Sequence, residues 1–410
     1  MARREQPRRD RGLADNLFYS DQAPRRRTQI SDIIVGVGPM DMTLLVVILF
    51  LVLIGIIMVF SASYSTAVRV FGNPVWFLWR NIAFALIGFV VMMAASYVSY
   101  FYVKAAAVIL YSVSVILLML LFFQGIMLLG ATRWLELPFT DFTFQPSEVA
   151  RAGLIFFIAY IFDRFPNALS TWASFGLVTG VVGLVVLFIF AADYGSAVVL
   201  TTVGCGLILM HTPKFWKHLG VYIGGAIALV GGLWIVMDPM RRARVTTFFA
   251  MMFGGEDADV DVLVEAFQIT QSRLAIASGG TGGVGLGASM QSTFLPEAYN
   301  DFIFAIIIEE IGLIGGGLVM MLFLILLWRG IVIARHAPDT FSSLSAIGIS
   351  FSISLQAIIN IGVTIGVLPT TGITLPFISY GGTSLIRSMA LIGVLLNISR
   401  YTRMYDVQNK

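Results

Sequence analysis

Long apolar segments alternate with short polar connections along most of this chain. Ten segments can be delimited, and they run approximately over residues 42–62, 77–97, 105–124, 149–162, 169–190, 196–211, 218–237, 302–328, 342–366 and 381–399. A helix needs about 20 apolar residues to cross the hydrocarbon core of a bilayer, and the fourth and sixth segments are short by that measure. The pattern predicts an all-α polytopic membrane protein with about ten transmembrane helices.

The composition agrees with this prediction. Of the 410 residues, 58% are hydrophobic and 12% are charged, and the mean hydropathy is +0.89. Soluble domains usually contain about 25% charged residues, so these values exclude a soluble enzyme, a disordered chain and a fibrous protein. The single cysteine, Cys205, excludes an intramolecular disulfide and a thiolate metal site.

The placement of lysine and arginine predicts the orientation. Residues 1–40 carry eight arginines without the apolar stretch of a signal peptide, and we interpret them as a disordered basic cytoplasmic arm. Residues 41–400 form the predicted membrane domain, and 401–410 a cytoplasmic tail. Most basic residues fall on the side of the N-terminus, so both termini are expected in the cytoplasm. The long connection 238–301, between the seventh and eighth helices, is then extracytoplasmic.

The end of this connection carries candidate chemistry. Asp301 stands at the outer mouth of the eighth helix, where it is either a helix N-cap or a functional carboxylate. Glu309 and Glu310 follow at a depth where carboxylates are costly, which predicts a polar cavity beside them. The glycine-rich stretch 278–289 lacks the lysine of a nucleotide-binding loop. It is either a flexible surface loop or a set of backbone N–H groups near an anion.

Charged residues elsewhere complement these carboxylates. Glu148 and Arg151 are three residues apart on the fourth helix, a spacing that allows a salt bridge. Four arginines expected near the outer surface could bind phosphate oxygens, or could instead snorkel or bridge neighbouring residues: Arg133, Arg151, Arg273 and Arg387. Prolines and glycines in 366–388 predict an interrupted helix there. We interpret these features as an outward-facing polar cavity that either binds an amphiphilic phosphorylated lipid or conducts an ion or solute.

Five motifs resemble those of the SEDS family, the shape, elongation, division and sporulation proteins that include RodA-, FtsW- and SpoVE-like members. They lie at 144–151, 266–280, 285–291, 295–312 and 360–386, and the resemblance extends over about 40–400. It implies a glycosyltransferase that polymerises lipid II into peptidoglycan on the outer face of the bacterial cytoplasmic membrane, during elongation or division. It also implies a class B penicillin-binding protein as transpeptidase partner, among other cell-wall synthesis proteins, and no nucleic acid.

The resemblance implies that Asp301 is the catalytic residue, as a general base or as a metal ligand. The motifs do not by themselves require a cofactor. The cofactor that we consider is a divalent cation, Mg²⁺ or Mn²⁺. The residues expected to bind substrate are Arg133, Glu148, Arg151, Asp193, Gln271, Ser272, Arg273, Ser289, Gln291, Asn360, Ser379 and Tyr380. The chain departs from the family pattern at Tyr299 and Asn300, where His-Thr is common, and at Arg151, where lysine is frequent.

Two other functions remain open from the sequence. A lipid II flippase would use buried charged groups such as Glu148, Arg151 and Glu309 to line a pathway. A non-catalytic scaffold of the elongation or division complex would only recruit the transpeptidase. The charged candidates cluster in the predicted outer half of the membrane, which favours catalysis over transport.

Overall fold

The computed structural model describes residues 38–124, 126–128, 131–136, 143–236 and 260–408. Almost all of the predicted basic arm, residues 237–259 of the long connection and the last two residues of the tail lie outside this description.

Helices dominate the described residues, and each predicted apolar segment coincides with a long helix. The helices are α1 (Met42–Phe71), α2 (Trp76–Tyr97), α3 (Tyr100–Gln124), α4 (Pro146–Arg164), α5 (Trp172–Ala192), α6 (Tyr194–His211), α7 (Phe215–Val236), α8 (Val260–Gly279), α9 (Gln291–Phe294), α10 (Ile303–Arg335), α11 (Thr340–Thr364) and α12 (Gly382–Gln408). The prediction of an all-α polytopic fold is confirmed. Helices α8 and α9 lie within the long connection and add to the ten predicted segments.

Eight of the described helices are long and apolar enough to cross a membrane. Three other long helices, α4, α7 and α8, are not among these eight. The first turns of α4 carry Glu148 and Arg151, and its end carries Asp163 and Arg164, which lowers its hydropathy. The side chains of α7 are described only as far as Ala226. The sixth segment, which is short, is among the eight.

A small antiparallel sheet follows α3, and the sequence pattern did not predict it. Its strands are β1 (Ile126–Leu128), β2 (Ala131–Glu136) and β3 (Thr143–Phe144), in the order β1-β2-β3. Ile126 pairs with Trp134, and Leu135 pairs with Phe144. The last strand, β3, ends two residues before the start of α4.

Helix α11 lies at the centre of the bundle, between α10 and α4, and most of its side chains are buried. Small residues permit this close packing, as is common between membrane helices. Gly330 of α10 faces Ser350 of α11, and Gly348 of α11 faces Ile155 of α4.

The described chain begins and ends at the same end of the bundle. The N–H of Gly38 donates to the carbonyl of Arg400 (3.2 Å), and the N–H of Asp41 donates to Oγ of Ser399 (3.0 Å). The Asp41 carboxylate caps α1 and also accepts from the guanidinium of Arg329. We call the opposite end of the bundle the site end; the sheet, the start of α10 and the connection between α11 and α12 lie there.

Candidate functional site

The chain between α8 and α10 enters the bundle from the site end, and we call residues 279–291 the re-entrant segment. The N–H groups of Val284 and Gly285 donate to the carbonyls of Glu309 (2.9 Å) and Glu310 (3.0 Å). Glu309 lies six residues into α10, about 9 Å along the axis at 1.5 Å per residue. Irregular backbone is tolerated at such depth when protein satisfies its polar groups, as α10 does here.

Helix α10 is interrupted where the re-entrant segment meets it. Gly312 has φ 79° and ψ −177°, a backbone conformation that is essentially restricted to glycine. The N–H groups of Leu313 and Ile314, which follow the interruption, donate to the carbonyls of Gly280 (3.0 Å) and Thr281 (3.4 Å). The segment and the helix therefore satisfy each other's backbone groups in both directions.

The two glutamates of α10 anchor this arrangement. The Glu309 carboxylate accepts from the hydroxyl of Ser289 (2.5 Å) and from the N–H groups of Met290 (3.1 Å) and Gln291 (3.3 Å). Glu310 accepts from the hydroxyl of Ser61 on α1 (2.5 Å). Both side chains are buried. Protein groups therefore supply their hydrogen bonds, the re-entrant segment those of Glu309 and α1 that of Glu310, and the expected polar cavity beside them stays a prediction.

Most residues of the glycine-rich stretch 278–289 are exposed, as in a surface loop, but its backbone is hydrogen-bonded to α10. Of its two interpretations, the one that placed N–H groups near an anion is closer to the structure. The N–H groups in question follow the stretch, at Met290 and Gln291, and the anion is the chain's own Glu309 carboxylate.

A buried polar cluster joins α4, α11 and α12, and it consists of Glu148, Arg151, Gln356 and Arg387. Glu148 forms its ion pair with Arg387, whose side chain is only 9% exposed. Arg151 donates to Oε1 of Gln356, and Arg387 donates to the same oxygen (3.3 Å). The anticipated salt bridge between Glu148 and Arg151 is replaced by these contacts, because helix packing brings a second guanidinium to the carboxylate.

Asp193 lies beside this cluster at the junction of α5 and α6. Its carboxylate caps α6, accepting from the N–H (3.3 Å) and the hydroxyl (2.5 Å) of Ser196. It also accepts from Nε2 of Gln145 (3.1 Å), the residue that precedes α4. The capping contact explains why an aspartate stands at this turn, and its expected part in substrate binding stays a prediction.

Asp301 lies in a non-helical segment at the site end and is partly buried. Helix α10 begins at Ile303 with Phe302 as its N-cap residue, so Asp301 does not occupy the N-cap position. Asp301 thus precedes the N-cap position by one residue, and its role as a functional carboxylate stays a prediction.

The carbonyls of three consecutive residues, 299–301, are each held by the α11–α12 region. The Tyr299 carbonyl accepts from the N–H of Tyr380 (3.0 Å) and the Asn300 carbonyl from the hydroxyl of Ser379 (2.6 Å). The Asp301 carbonyl accepts from Nδ2 of Asn360 (2.8 Å). We call these the three carbonyl contacts.

The buried polar cluster and the Asp301 segment share a support. Asn360 also donates to the carbonyl of Ile373 (2.7 Å), and Nε2 of Gln356 donates to the next carbonyl, that of Thr374 (2.9 Å). Two amides one turn apart on α11 therefore hold the same stretch of the α11–α12 connection. The structure in this way joins Glu148, Arg151, Asp301, Asn360, Ser379 and Tyr380 into one site.

The other candidate residues, apart from Arg133, lie on the re-entrant segment or on α8, which precedes it. Ser272 donates to the carbonyl of Thr364 (2.7 Å), and Arg273 is exposed and donates to the carbonyl of Gly366 (3.0 Å). Gln271 precedes them on α8, and Ser289 and Gln291 contact Glu309. Arg133 lies in β2, and its side chain is outside the described part. Their substrate-binding roles stay predictions.

The sequence reasoning did not assign Gln356 to the site and treated Arg387 only as one of several outer cations. A signal for Gln356 was present, since a glutamine inside an otherwise apolar helix requires a polar partner. Within the described residues, no three His, Cys, Asp or Glu side chains are grouped as a metal site would require. The expected metal-ligand role of Asp301 stays a prediction.

Together, these observations define a multi-pass membrane protein with a buried polar cluster and a carboxylate-bearing, non-helical segment near one end. A family model for FtsW, RodA and SpoVE, described as cell cycle proteins, matches residues 41–404. The chain belongs to this family.

Curated relatives and a solved structure agree with this assignment. The chain is 38% identical to a probable peptidoglycan glycosyltransferase FtsW of Halomonas elongata over 88% of its own length and 91% of that protein. It is 38% identical to the stage V sporulation protein E of Bacillus subtilis over 88% and 98%. A chain from a structure of a peptidoglycan synthase complex matches with a TM-score of 0.72 and 27% identity, covering 88% of this chain and 98% of that one.

Proposed function

We propose that this chain is a peptidoglycan glycosyltransferase that polymerises lipid II, with the Asp301 carboxylate as its general base. The curated relatives named as peptidoglycan glycosyltransferases support the activity. One structural observation carries the proposal for Asp301. Its segment is held at three consecutive carbonyls, as expected for a carboxylate that must be kept in a defined place.

In the proposed reaction, the 4-hydroxyl oxygen of one disaccharide attacks the anomeric carbon of another. The new glycosidic bond forms as the bond from the anomeric carbon to the lipid pyrophosphate breaks, so a single displacement inverts that carbon. The hydroxyl is a weak acid, and Asp301 takes its proton as the bond forms. The pyrophosphate leaves with the bonding electrons and develops negative charge.

Guanidinium groups are suited to that developing charge. Arg133, Arg151 and Arg273 are the candidates. Arg273 is exposed, whereas Arg151 lies in the buried polar cluster. Bound Mg²⁺ or Mn²⁺ would serve the same purpose, with Asp301 as a ligand.

We further propose that the site end faces outward from the bacterial cytoplasmic membrane and that both termini are cytoplasmic. The return of the described chain to one end of the bundle supports this orientation, as does the excess of basic residues on that side. The proposed partner is a class B penicillin-binding protein within a cell-wall synthesis complex. The similarity to a chain of a solved peptidoglycan synthase complex supports an assembly of that kind.

The test is polymerisation of labelled lipid II by the purified protein together with its penicillin-binding partner. Wild type is compared with Asp301→Asn, which keeps the size and removes the base. Glu297→Gln is the matched control: its carboxylate lies in the same segment and accepts from the side-chain amide of Asn300, a contact that glutamine can retain. We expect long strands from wild type and the control alone.

Equal polymerisation by Asp301→Asn would refute the assignment of the base. The buried ion pair between Glu148 and Arg387 would also suit a transport pathway through the bundle. Lipid II scrambling in liposomes without strand formation would therefore replace the enzyme with a flippase. Recruitment of the partner without either activity would indicate a scaffold.

A further inference from the structure

We propose that Asn360 and Ser379 are positioning residues, which hold the backbone of Asp301 in place from inside the bundle instead of contacting the substrate. This inference rests on the proposed function of Asp301. It changes the interpretation of two residues that the sequence had suggested as substrate ligands.

The donors of both side chains are already used within the protein. The two hydrogens of the Asn360 amide nitrogen go to the carbonyls of Asp301 (2.8 Å) and Ile373 (2.7 Å). The Ser379 hydroxyl donates to the carbonyl of Asn300 (2.6 Å) and accepts from the N–H of Leu375 (2.7 Å). A substrate hydroxyl or phosphate could gain a hydrogen from either residue only by breaking one of these contacts.

The burial of the two side chains also supports a positioning role. Asn360 is 1% exposed and Ser379 is 6% exposed, whereas Asp301 itself is partly exposed. The two side chains therefore reach the Asp301 segment from its protein side and leave the other side for the substrate.

The backbone hydrogen bonds within this segment are local. The N–H groups of Asn300 (2.9 Å) and Asp301 (3.2 Å) both donate to the carbonyl of Glu297, which closes a turn but does not tie that turn to the bundle. The three carbonyl contacts connect that turn to α11 and to the α11–α12 connection. A displacement of about 1 Å at a reacting group can lower the rate roughly 100-fold. Loss of one of the three carbonyl contacts is therefore expected to slow the chemical step.

Asn360 also links two segments that are far apart in sequence. By bonding the carbonyls of Asp301 and Ile373 at once, it couples the position of the carboxylate to the α11–α12 connection. A substitution at Asn360 is thus expected to loosen residues 297–303 and the neighbourhood of Ile373 together.

The experiment uses the full chain with its penicillin-binding partner and measures two quantities. The first is the steady-state kcat and KM for labelled lipid II; the second is hydrogen–deuterium exchange of the peptide covering 297–303. The variants are Asn360→Leu and the milder Ser379→Ala, with Ser379→Thr as a rescue that keeps a hydroxyl. The control is Ser352→Ala on α11, whose buried hydroxyl has no hydrogen-bond partner among the described residues.

We expect Asn360→Leu and Ser379→Ala to lower kcat by roughly 10- to 100-fold, to leave KM within about twofold, and to speed exchange at 297–303. Ser379→Thr should recover both quantities and Ser352→Ala should change neither. The inference would be overturned if neither Asn360→Leu nor Ser379→Ala changed hydrogen–deuterium exchange at 297–303. Faster exchange with a normal kcat would overturn it as well. A raised KM with normal kcat and exchange would instead make these residues substrate ligands.

Asp301→Asn separates this inference from the proposed function. It should abolish polymerisation without speeding exchange at 297–303, because the three carbonyl contacts use backbone oxygens of the segment. An active Asp301→Asn protein would refute the assigned base and, with it, the reason for positioning Asp301.

Discussion

The ion pair between Glu148 and Arg387 offers a quantitative test of how the bundle is held together. Arg387→Met removes the cation and leaves the Glu148 carboxylate without its partner, in a site where the two side chains are 11% and 9% exposed. Removing one member of a buried pair typically costs about 3–5 kcal/mol, because the remaining charge stays desolvated. Replacing both members costs much less, so Glu148→Gln combined with Arg387→Met should recover most of that loss.

The four proteins of this double-mutant cycle can be compared by reversible denaturation in mixed micelles. Lys104→Met is the matched control. Lys104 also bridges carboxylates, those of Asp163 (2.6 Å) and Asp339 (3.2 Å), but its side chain is 24% exposed. Because water reaches this pair more readily, its removal should cost less than that of Arg387, closer to the roughly 1 kcal/mol of surface pairs. The burial argument fails if Arg387→Met lowers the free energy of unfolding no more than Lys104→Met does. It also fails if the double-mutant cycle shows no coupling energy between Glu148 and Arg387.

Two further predictions concern the backbone of α10 and the tyrosine beside Asp301. Gly312→Ala should destabilise the fold by at least about 1–3 kcal/mol, because Gly312 has φ 79° and its Cβ would meet the backbone of Thr281. Gly317→Ala, whose added Cβ meets nothing, should leave the unfolding temperature unchanged or raised; equal effects would contradict the re-entrant contact. Burial raises the pKa of Tyr299 to about 12, so its stabilising contribution is present below the unfolded pKa of about 10 and is lost as the pH rises towards 12. Tyr299→Phe should therefore show a smaller fall in unfolding temperature between pH 9 and 11 than wild type, and an identical fall would argue against the shift.

The helices could be predicted because their signal is local. A run of about 20 apolar residues predicts a spanning helix wherever it occurs; each run here forms a helix, and eight of these helices are long and apolar enough to cross a membrane. The sheet at β1–β3 was missed for the opposite reason, since strands of two to six residues are defined by pairing across the connection. Helix α8 and the re-entrant segment were missed because the connection that contains them was interpreted only as a loop.

The site was recoverable only in part. The motif around Asp301 pointed to that residue, and Glu148 was recognised as a buried carboxylate, but its true partner Arg387 is distant in sequence. Asn360 and Ser379 were selected because they lie in a motif that resembles the family's, and their partners were not identified. Those partners are backbone carbonyls, which every residue carries, so no side-chain pattern could reveal them.

The same physical requirement shapes each unusual part of this protein. Backbone that leaves the helical conformation inside a bilayer must find hydrogen bonds within the protein. The re-entrant segment finds them on α10, and the α11–α12 connection finds them on the amides of Gln356 and Asn360. Polar side chains placed for this purpose lower the apolarity of the helices that carry them. Helix α11 carries both of these amides and is still long and apolar enough to cross a membrane, so one helix serves as a span and as the support of the site.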